Sequence, residues 1–184
     1  NLGSLGYGLA RLRPTRSRPV LVLSLPRSGS SWVGEILGTA RNAAYLREPL
    51  NQTYIQNEGR GRPSVFEIAS DAAPPPSYLR ACAKVTAGIP DFQEDIAPYR
   101  RQWNLRSRPG RTLILKEVNP LAIDFLLKTL RPYVVYLVRH PVPVAHSYFV
   151  QGWPGDRLSE SRLAQLGLRQ SPDADPFWFN LGLL

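Results

Sequence analysis

The stretch VLVLSLPRSGSSWVGEIL (residues 20–37) decides the fold, because it joins an apolar run to a polar loop and then to an apolar pattern of helical period. Residues 20–25 form a nearly continuous apolar run, which is typical of a buried parallel strand. The stretch therefore predicts a strand, a loop and a helix with one apolar face. The residues that recur at helical spacing on this face are Trp32, Val33, Ile36, Leu37 and Ala40.

The same alternation returns later in the chain. TLILK (112–116) is a predicted strand, and Asn119 and Pro120 are an N-cap and first-turn pair for the helical pattern that follows. YVVYLV (133–138) predicts another buried strand and runs into RHPVPVAHSYF (139–149), whose second half has a helical pattern. Strands that alternate with helices imply an α/β fold with a mostly parallel sheet covered on both faces.

Between these segments the pattern is less regular. AAYL (43–46) predicts a short strand that ends at REPL, and residues 77–87 predict a helix. Most of 51–110 is rich in Gly, Pro and Arg, which indicates a variable insert. We expect one domain over 1–184, with an arm over 1–19. The chain has no methionine and stops just after PFWFNLGLL, so we expect a fragment that is incomplete at its C-terminus.

Composition limits the partners. The formal net charge is +9, and all but three of the 23 basic residues are arginines. Such a surface suits phosphate or sulfate groups, although a solvated surface that serves solubility has the same composition. Cys82 is the single cysteine and there are two histidines, which excludes an internal disulfide and predicts no metal centre.

The hydropathy pattern gives predictions about membrane spans and the cellular compartment. No apolar run approaches the ~18 residues that span a bilayer, and the first 19 residues are too weakly apolar for a signal peptide. We therefore expect no transmembrane segment and a cytoplasmic location. The alternative is the Golgi lumen, if the chain is the soluble part of a larger membrane-anchored protein.

The loop after the first strand has the residues of an anion site. Backbone N–H groups at the mouth of a helix favour an anion, and Gly29 lets the backbone approach it closely. Ser30 and Ser31 add hydroxyl donors and Arg27 adds charge. The alternative is an ordinary turn in which a serine caps the helix and Arg27 is solvated. The G-x-x-x-x-G-K-[ST] signature is absent, which leaves a P-loop kinase as a fold analogy only.

Two motifs resemble those of sulfotransferases that use 3′-phosphoadenosine 5′-phosphosulfate (PAPS). LPRSGSSWVGEIL (25–37) resembles their 5′-phosphosulfate loop, with arginine where many soluble members have lysine. YLVRHPVPVAHSYF (136–149) resembles their 3′-phosphate motif, in which a strand ends in Arg and a serine follows eight positions later. The two motifs occur in the family's order, each at the end of a predicted strand.

The resemblance implies a P-loop-like three-layer sandwich that transfers a sulfuryl group from PAPS to an acceptor hydroxyl without a metal. A carbohydrate acceptor is expected, because the motif style is that of carbohydrate and bacterial members. Acceptor entry is expected over residues 51–110. The residues implied in binding PAPS are Arg27, Ser28, Gly29, Ser30, Ser31, Trp32, Arg139 and Ser147.

The expected base is a carboxylate. Many soluble members have a histidine base in a Lys-x-His-x-Pro stretch, whereas LKEVNP has Lys116 and Pro120 with Val118 in the histidine position. Glu48 in LREPL resembles the Glu-Pro of carbohydrate sulfotransferases and is the first candidate; Glu117 is the second. Lys116 is expected to stabilise the leaving oxygen. Two structural alternatives stay open: Glu48 forms an ion pair with Arg47 or another arginine, and Lys116 is a solvated charge at a strand edge.

A function of another class competes with the enzyme. A basic module that binds nucleic acid or another polyanion without catalysis has the same charge. The paired motifs favour the enzyme, and the aromatic residues show no RNA-binding signature. We therefore expect PAPS and a hydroxyl-bearing acceptor as partners, and no nucleic acid.

Overall fold

A computed structural model describes residues 18–51, 74, 76–90, 93–104 and 110–152. These residues divide into two compact units. The first takes in the chain up to Leu25 together with Gly29–Leu137, and the second takes in Pro26–Ser28 and the described residues from Val138 onward.

The first unit contains a four-stranded, all-parallel sheet, as the alternating pattern predicts. The strand order is β2-β3-β1-β4, so consecutive strands of the chain are not always neighbours in the sheet. In the register, Leu21 of the central strand lies opposite Leu115 on one side and Val134 on the other. The strands are β1 (Val20–Ser24), β2 (Ala43–Arg47), β3 (Thr112–Glu117) and β4 (Tyr133–Leu137).

Helices follow the strands and confirm the α/β prediction. Each helix that the sequence predicts within the described ranges is present. The α-helices whose two ends lie within the described ranges are α1 (Ser30–Gly38), α2 (Pro76–Ala87), α3 (Ile123–Leu130) and α4 (Pro141–Val150). Short 3₁₀ helices, Arg100–Trp103 and Pro120–Ala122, precede β3 and α3.

The sheet of the first unit is covered on both faces. Val22, Tyr45 and Ile114 point to the face on which α1 packs through Val33 and Leu37. Alternate residues of the same strands point to the opposite face, where they pack against α2 and α3. Side chains alternate along a strand, so β1, β2 and β3 are buried on both sides, which accounts for the uninterrupted apolar runs VLVL, AAYL and LIL within them.

The buried side of α1 differs from the predicted apolar face. Trp32 is 69% exposed and Ile36 is 50% exposed, whereas Ser30, Gly34 and Gly38 are buried. For the two glycines the reason is Tyr45, a large side chain on β2 that fills the space under the helix. Only residues without a Cβ fit above its ring, so Gly34 and Gly38 face the sheet, Val33 and Leu37 pack beside them, and Trp32 and Ile36 face outward.

We expect Gly34→Ala and Gly38→Ala to lower the free energy of unfolding by about 1–3 kcal/mol through overpacking. A Cβ on Gly34 would lie 2.9 Å from Cε2 and Oη of Tyr45, and a Cβ on Gly38 would lie 2.8 Å from its Cβ and Cγ. The clash outweighs the gain of up to about 1 kcal/mol in helix propensity. Chemical denaturation measures the effect.

Two control substitutions test whether the loss of stability comes from the contact with Tyr45. Gly110→Ala meets nothing within 4 Å and should leave stability nearly unchanged. Tyr45→Phe removes Oη, and should recover part of the loss in Gly34→Ala but none in Gly38→Ala. Equal recovery in both backgrounds would contradict the packing we describe.

The prediction of a buried strand over 133–138 is wrong in its burial. Within the sheet formed by the described residues, β4 pairs with β1 alone and lies at the edge, and Tyr133 and Tyr136 are 58% and 50% exposed. The apolar run indicated a strand correctly, but its place at the edge depends on the strand order.

The opposite edge is closed by side chains and loops. Gln102 accepts a hydrogen bond from the N–H of Tyr45 on β2 (2.9 Å) and donates one to the carbonyl of Gly38 at the end of α1 (2.6 Å). Arg111 donates to the Ala43 carbonyl (2.7 Å), and the Arg47 N–H donates to the Ile96 carbonyl (2.8 Å). The Ala43 carbonyl and the N–H groups of Tyr45 and Arg47 are therefore paired within the chain at this edge.

Asn119 differs from the predicted cap. It occupies the N-cap position of the 3₁₀ helix Pro120–Ala122, yet its side chain makes no capping hydrogen bond. Its backbone carbonyl accepts from the Ala122 N–H instead (3.3 Å), so the short 3₁₀ turn is closed by the main chain.

Candidate functional site

The turn after β2 positions Glu48. The strand ends at Arg47, opposite Lys116 on β3, and Glu48 then takes a left-handed backbone conformation with φ 49°. Residues other than glycine adopt this conformation rarely, and it is held here by a hydrogen bond from the Glu48 N–H to the Lys116 carbonyl (2.7 Å). The bend places Glu48 at the carboxyl ends of two adjacent parallel strands, where ligands of open α/β sheets bind.

Glu48 and Lys116 form an ion pair. The Lys116 ammonium bonds to Oε1 of Glu48, and the Asn51 side-chain amide donates to Oε2 (3.2 Å). The Lys116 side chain is 2% exposed and the Glu48 side chain 22% exposed. A buried cation is thus paired with a carboxylate that solvent reaches.

Among the described residues, the observed contacts of this pair differ from the structural alternatives. Arg47 does not pair with Glu48; its guanidinium contacts Asp95, with 3.6 Å to the carboxylate and 3.0 Å to the carbonyl oxygen. Lys116 is buried on the sheet face that α1 covers, so it is not a solvated charge at a strand edge.

Glu117, the second candidate base, is buried on the other side of β3. Its Oε1 accepts a hydrogen bond from the Leu50 N–H (2.9 Å), and its exposed fraction is 1%. Burial raises the pKa of the Glu117 carboxyl to about 8; Leu50 N–H and Lys116 act against this rise, and Glu48 adds to it. Near neutral pH this carboxyl is mainly protonated.

Two residues near the pair were not predicted from sequence. Asn51 lies in the helical residues 49–51 that follow Glu48, and its contact with Glu48 depends on the bend at Glu48, which has no sequence signal. Tyr45 had none, because its place depends on α1. Its Oη is buried and has no hydrogen-bond partner among the described residues, and burial raises the pKa of this hydroxyl.

In the second unit, three of the predicted PAPS-binding residues come together. Arg27, in a left-handed conformation with φ 67°, donates from Nε to the Ser147 hydroxyl (2.7 Å). Arg139 donates from Nη1 to the Arg27 carbonyl (3.1 Å). Two guanidinium groups and a hydroxyl therefore form one cluster, which we call the arginine cluster. Such a set of donors is suited to a phosphate.

The remaining loop residues have separate places. Ser28 is half-buried in the second unit. In the first unit, Gly29 is the N-cap residue of α1 with φ 93°, and no side chain caps the helix. The predicted alternative of a serine cap is therefore wrong. A Cβ at Gly29 would meet nothing within 4 Å, so its left-handed backbone, and not crowding, favours glycine there.

The serines and tryptophan at the start of α1 differ in exposure. The Ser30 hydroxyl is buried and hydrogen-bonded to the Ser24 hydroxyl (2.7 Å). Ser31 is half-buried and Trp32 is exposed. The first helical turn thus offers backbone N–H groups and Ser31 at its open side.

The described ranges contain neither a metal centre nor a membrane-spanning helix. They contain no group of three or more His, Cys, Asp or Glu side chains arranged to hold a metal ion. Along the same part of the chain, no helix combines the length and apolar character needed to cross a bilayer.

Comparison with known proteins identifies the family. The family model described as the sulfotransferase domain matches residues 17–165, which is most of the chain. No curated protein and no solved structure gives a significant match. The match covers both motifs, the sheet and the Glu48–Lys116 pair. The chain therefore belongs to the sulfotransferase domain family, whose members are PAPS-dependent transferases.

Proposed function

We propose that this chain transfers the sulfuryl group of PAPS to an acceptor hydroxyl, with Glu48 as the base and Lys116 as the cation that stabilises the leaving oxygen. The observation that carries the proposal is the Glu48–Lys116 ion pair, in which a buried ammonium meets a partly exposed carboxylate at adjacent strand ends. Base and electrostatic stabiliser are the two groups that the reaction requires.

The residues have complementary tasks in this step. Glu48 takes the proton of the acceptor hydroxyl as its oxygen forms a bond to sulfur. The bond between sulfur and the bridging phosphate oxygen breaks, and that oxygen keeps the electron pair. Lys116 stabilises the negative charge that develops there. An ammonium has three N–H donors, so Lys116 can bond to this oxygen while it still bonds to Glu48.

Exposure supports Glu48 over Glu117 as the base. A general base must come within hydrogen-bond distance of the proton that it removes. The Glu48 side chain is 22% exposed, whereas Glu117 is 1% exposed and its Oε1 is occupied by the Leu50 N–H. Glu117 also holds its own proton near neutral pH, which makes it a poor acceptor of another.

We assign Arg139 and Ser147 to the 3′-phosphate of the nucleotide. The Ser147 hydroxyl accepts a hydrogen bond from Arg27, so its own proton is available for a phosphate oxygen. Arg139 adds a guanidinium to this site. We assign the loop residues to the 5′-phosphosulfate, in the roles that the family motif gives them: Arg27, Ser28, Gly29, Ser30, Ser31 and Trp32.

The acceptor is proposed to be a carbohydrate hydroxyl that enters over residues 51–110. Support comes from the Glu-Pro pair at Glu48 and from the composition of this segment. Of the insert, residues 52–73, 75, 91–92 and 105–109 lie outside the described ranges. The 1–19 arm lies mostly outside them as well. The single-domain organisation and the cytoplasmic location stay predictions.

Selective binding of the 3′-phosphorylated nucleotide tests the donor assignment. We expect adenosine 3′,5′-bisphosphate to raise the melting temperature of the chain, and ADP at the same concentration to have little effect, because a ligand that binds the folded state stabilises it. Ser147→Ala and Arg139→Ala should each weaken binding of the bisphosphate by about 10–100-fold, as expected for one lost charge-assisted hydrogen bond.

Arg80→Ala is the matched control, since it removes one exposed positive charge from α2. Its affinity for the bisphosphate should equal that of the parent. Equal stabilisation by ADP and the bisphosphate would contradict the 3′-phosphate assignment. A similar loss of affinity in Arg80→Ala would favour the polyanion-binding module, in which net charge dominates.

A further inference from the structure

We infer that Glu117 is a positioning residue for sulfuryl transfer, because its buried carboxyl anchors the turn that carries Glu48. The inference rests on the proposed function in one respect, namely that Glu48 is the base. It concerns a different group, which contacts neither acceptor nor donor and acts through the backbone of the turn.

The anchor has a defined geometry. Consecutive residues of β3 hold the turn at two points: the Lys116 carbonyl accepts from the Glu48 N–H (2.7 Å), and the Glu117 carboxyl accepts from the Leu50 N–H (2.9 Å). Glu48 lies between these points in a left-handed conformation that L-residues adopt at a cost. Such a conformation persists only when its surroundings hold it, and Glu117 supplies one of the restraints on the turn.

The charge of Glu117 matters as well as its position. The ionisable groups around it are Glu48 and Lys116 on one side, and Tyr78 and Cys82 of α2 on the other. Burial raises the pKa of the Cys82 thiol to about 12 and that of Tyr78 above its usual value, so both stay neutral below pH 9. Glu117 is then the buried group whose charge changes near pH 8.

While Glu117 is protonated, it adds no charge near the Glu48–Lys116 pair. Once ionised, Glu117 adds a buried negative charge on the other face of β3, which acts through space to oppose the negative charge that develops on the leaving oxygen. We therefore expect the rate of transfer to fall as the pH rises through about 8, where Glu117 loses its proton.

Two substitutions separate the anchor from the charge. Glu117→Gln keeps an oxygen that accepts from the Leu50 N–H and cannot ionise. Glu117→Leu removes the acceptor. We expect kcat for sulfuryl transfer at pH 7 to be about 10-fold higher in Glu117→Gln than in Glu117→Leu, with the same KM for PAPS. The fall in rate above pH 8 should be present in the parent and absent in Glu117→Gln.

The decisive experiment follows the Leu50 amide and the Glu48 carboxyl by NMR over pH 5–10 in the parent and Glu117→Gln, without nucleotide. In the parent, the Leu50 amide shift should titrate with a midpoint near 8, and the Glu48 carboxyl shift should respond at the same midpoint. Neither response should occur in Glu117→Gln. Identical titration curves in the two proteins would overturn the inference.

This readout does not require activity. If the titrations differ as expected but no sulfuryl transfer is found, the proposed function fails while the anchor stands. Transfer in both proteins with unchanged pH profiles would leave Glu48 as the base and would overturn the role of Glu117.

Discussion

Glu48→Gln is expected to lower the rate of sulfuryl transfer by about 10²–10⁴-fold, the range that general-base catalysis supplies. The substitution preserves the size of the side chain and an oxygen that accepts from Lys116, so the buried ammonium keeps a partner. It removes only the ability to take the acceptor proton. Affinity for adenosine 3′,5′-bisphosphate, measured by calorimetry, should stay within a few-fold of the parent.

The control for this loss is Glu94→Gln, which neutralises an exposed carboxylate in the same unit. Its transfer rate should match that of the parent. Near-normal turnover in Glu48→Gln would assign the base elsewhere. Loss of bisphosphate binding in that variant would show that Glu48 has a structural role.

Lys116→Met is expected to lower kcat by about 10²–10³-fold, the cost of removing one group that stabilises charge in a transition state. Methionine fills much of the space of the buried lysine stem, so the packing of Lys116 against α1 is largely kept. Glu48 is left without its cation, but its partial exposure lets water hydrate the carboxylate. Steady-state kinetics with bisphosphate affinity as a second readout measure the effect.

Two further variants show how the loss in Lys116→Met is to be understood. Lys128→Met removes an exposed lysine from α3 and should leave kcat unchanged. The double variant Glu48→Gln/Lys116→Met should be little slower than the slower single variant, because residues that act as a unit are not additive. Fully additive losses would contradict a shared step.

Local pattern predicted the elements of this fold better than their burial. The run at 20–25 and the run at 133–138 look alike in sequence, yet β1 is central and β4 lies at the edge. Strand order arises from connections between distant segments, which a local pattern does not contain. In α1 the glycines face the sheet because Tyr45, from another strand, fills the space beneath them.

In the candidate site, too, local motifs singled out residues, whereas the contacts between them depend on the fold. Glu48 and Lys116 were singled out separately, each by its motif, and the parallel register of β2 and β3 brings them into contact. Arg27 and Ser147 belong to motifs assigned to different phosphates, and their hydrogen bond spans 120 positions of sequence. The Glu117 anchor depends on a backbone N–H of Leu50, which carries no signature in the sequence.

The most direct measurement follows ³⁵S from labelled PAPS into a panel of hydroxyl acceptors that includes carbohydrates, with the formation of adenosine 3′,5′-bisphosphate measured in the same reactions. We expect the parent protein to form sulfated acceptor and bisphosphate in equal amounts, and Glu48→Gln to form both at least 100-fold more slowly while it binds the bisphosphate normally. Equal rates of sulfated product from the parent and Glu48→Gln would contradict catalysis by the Glu48–Lys116 pair.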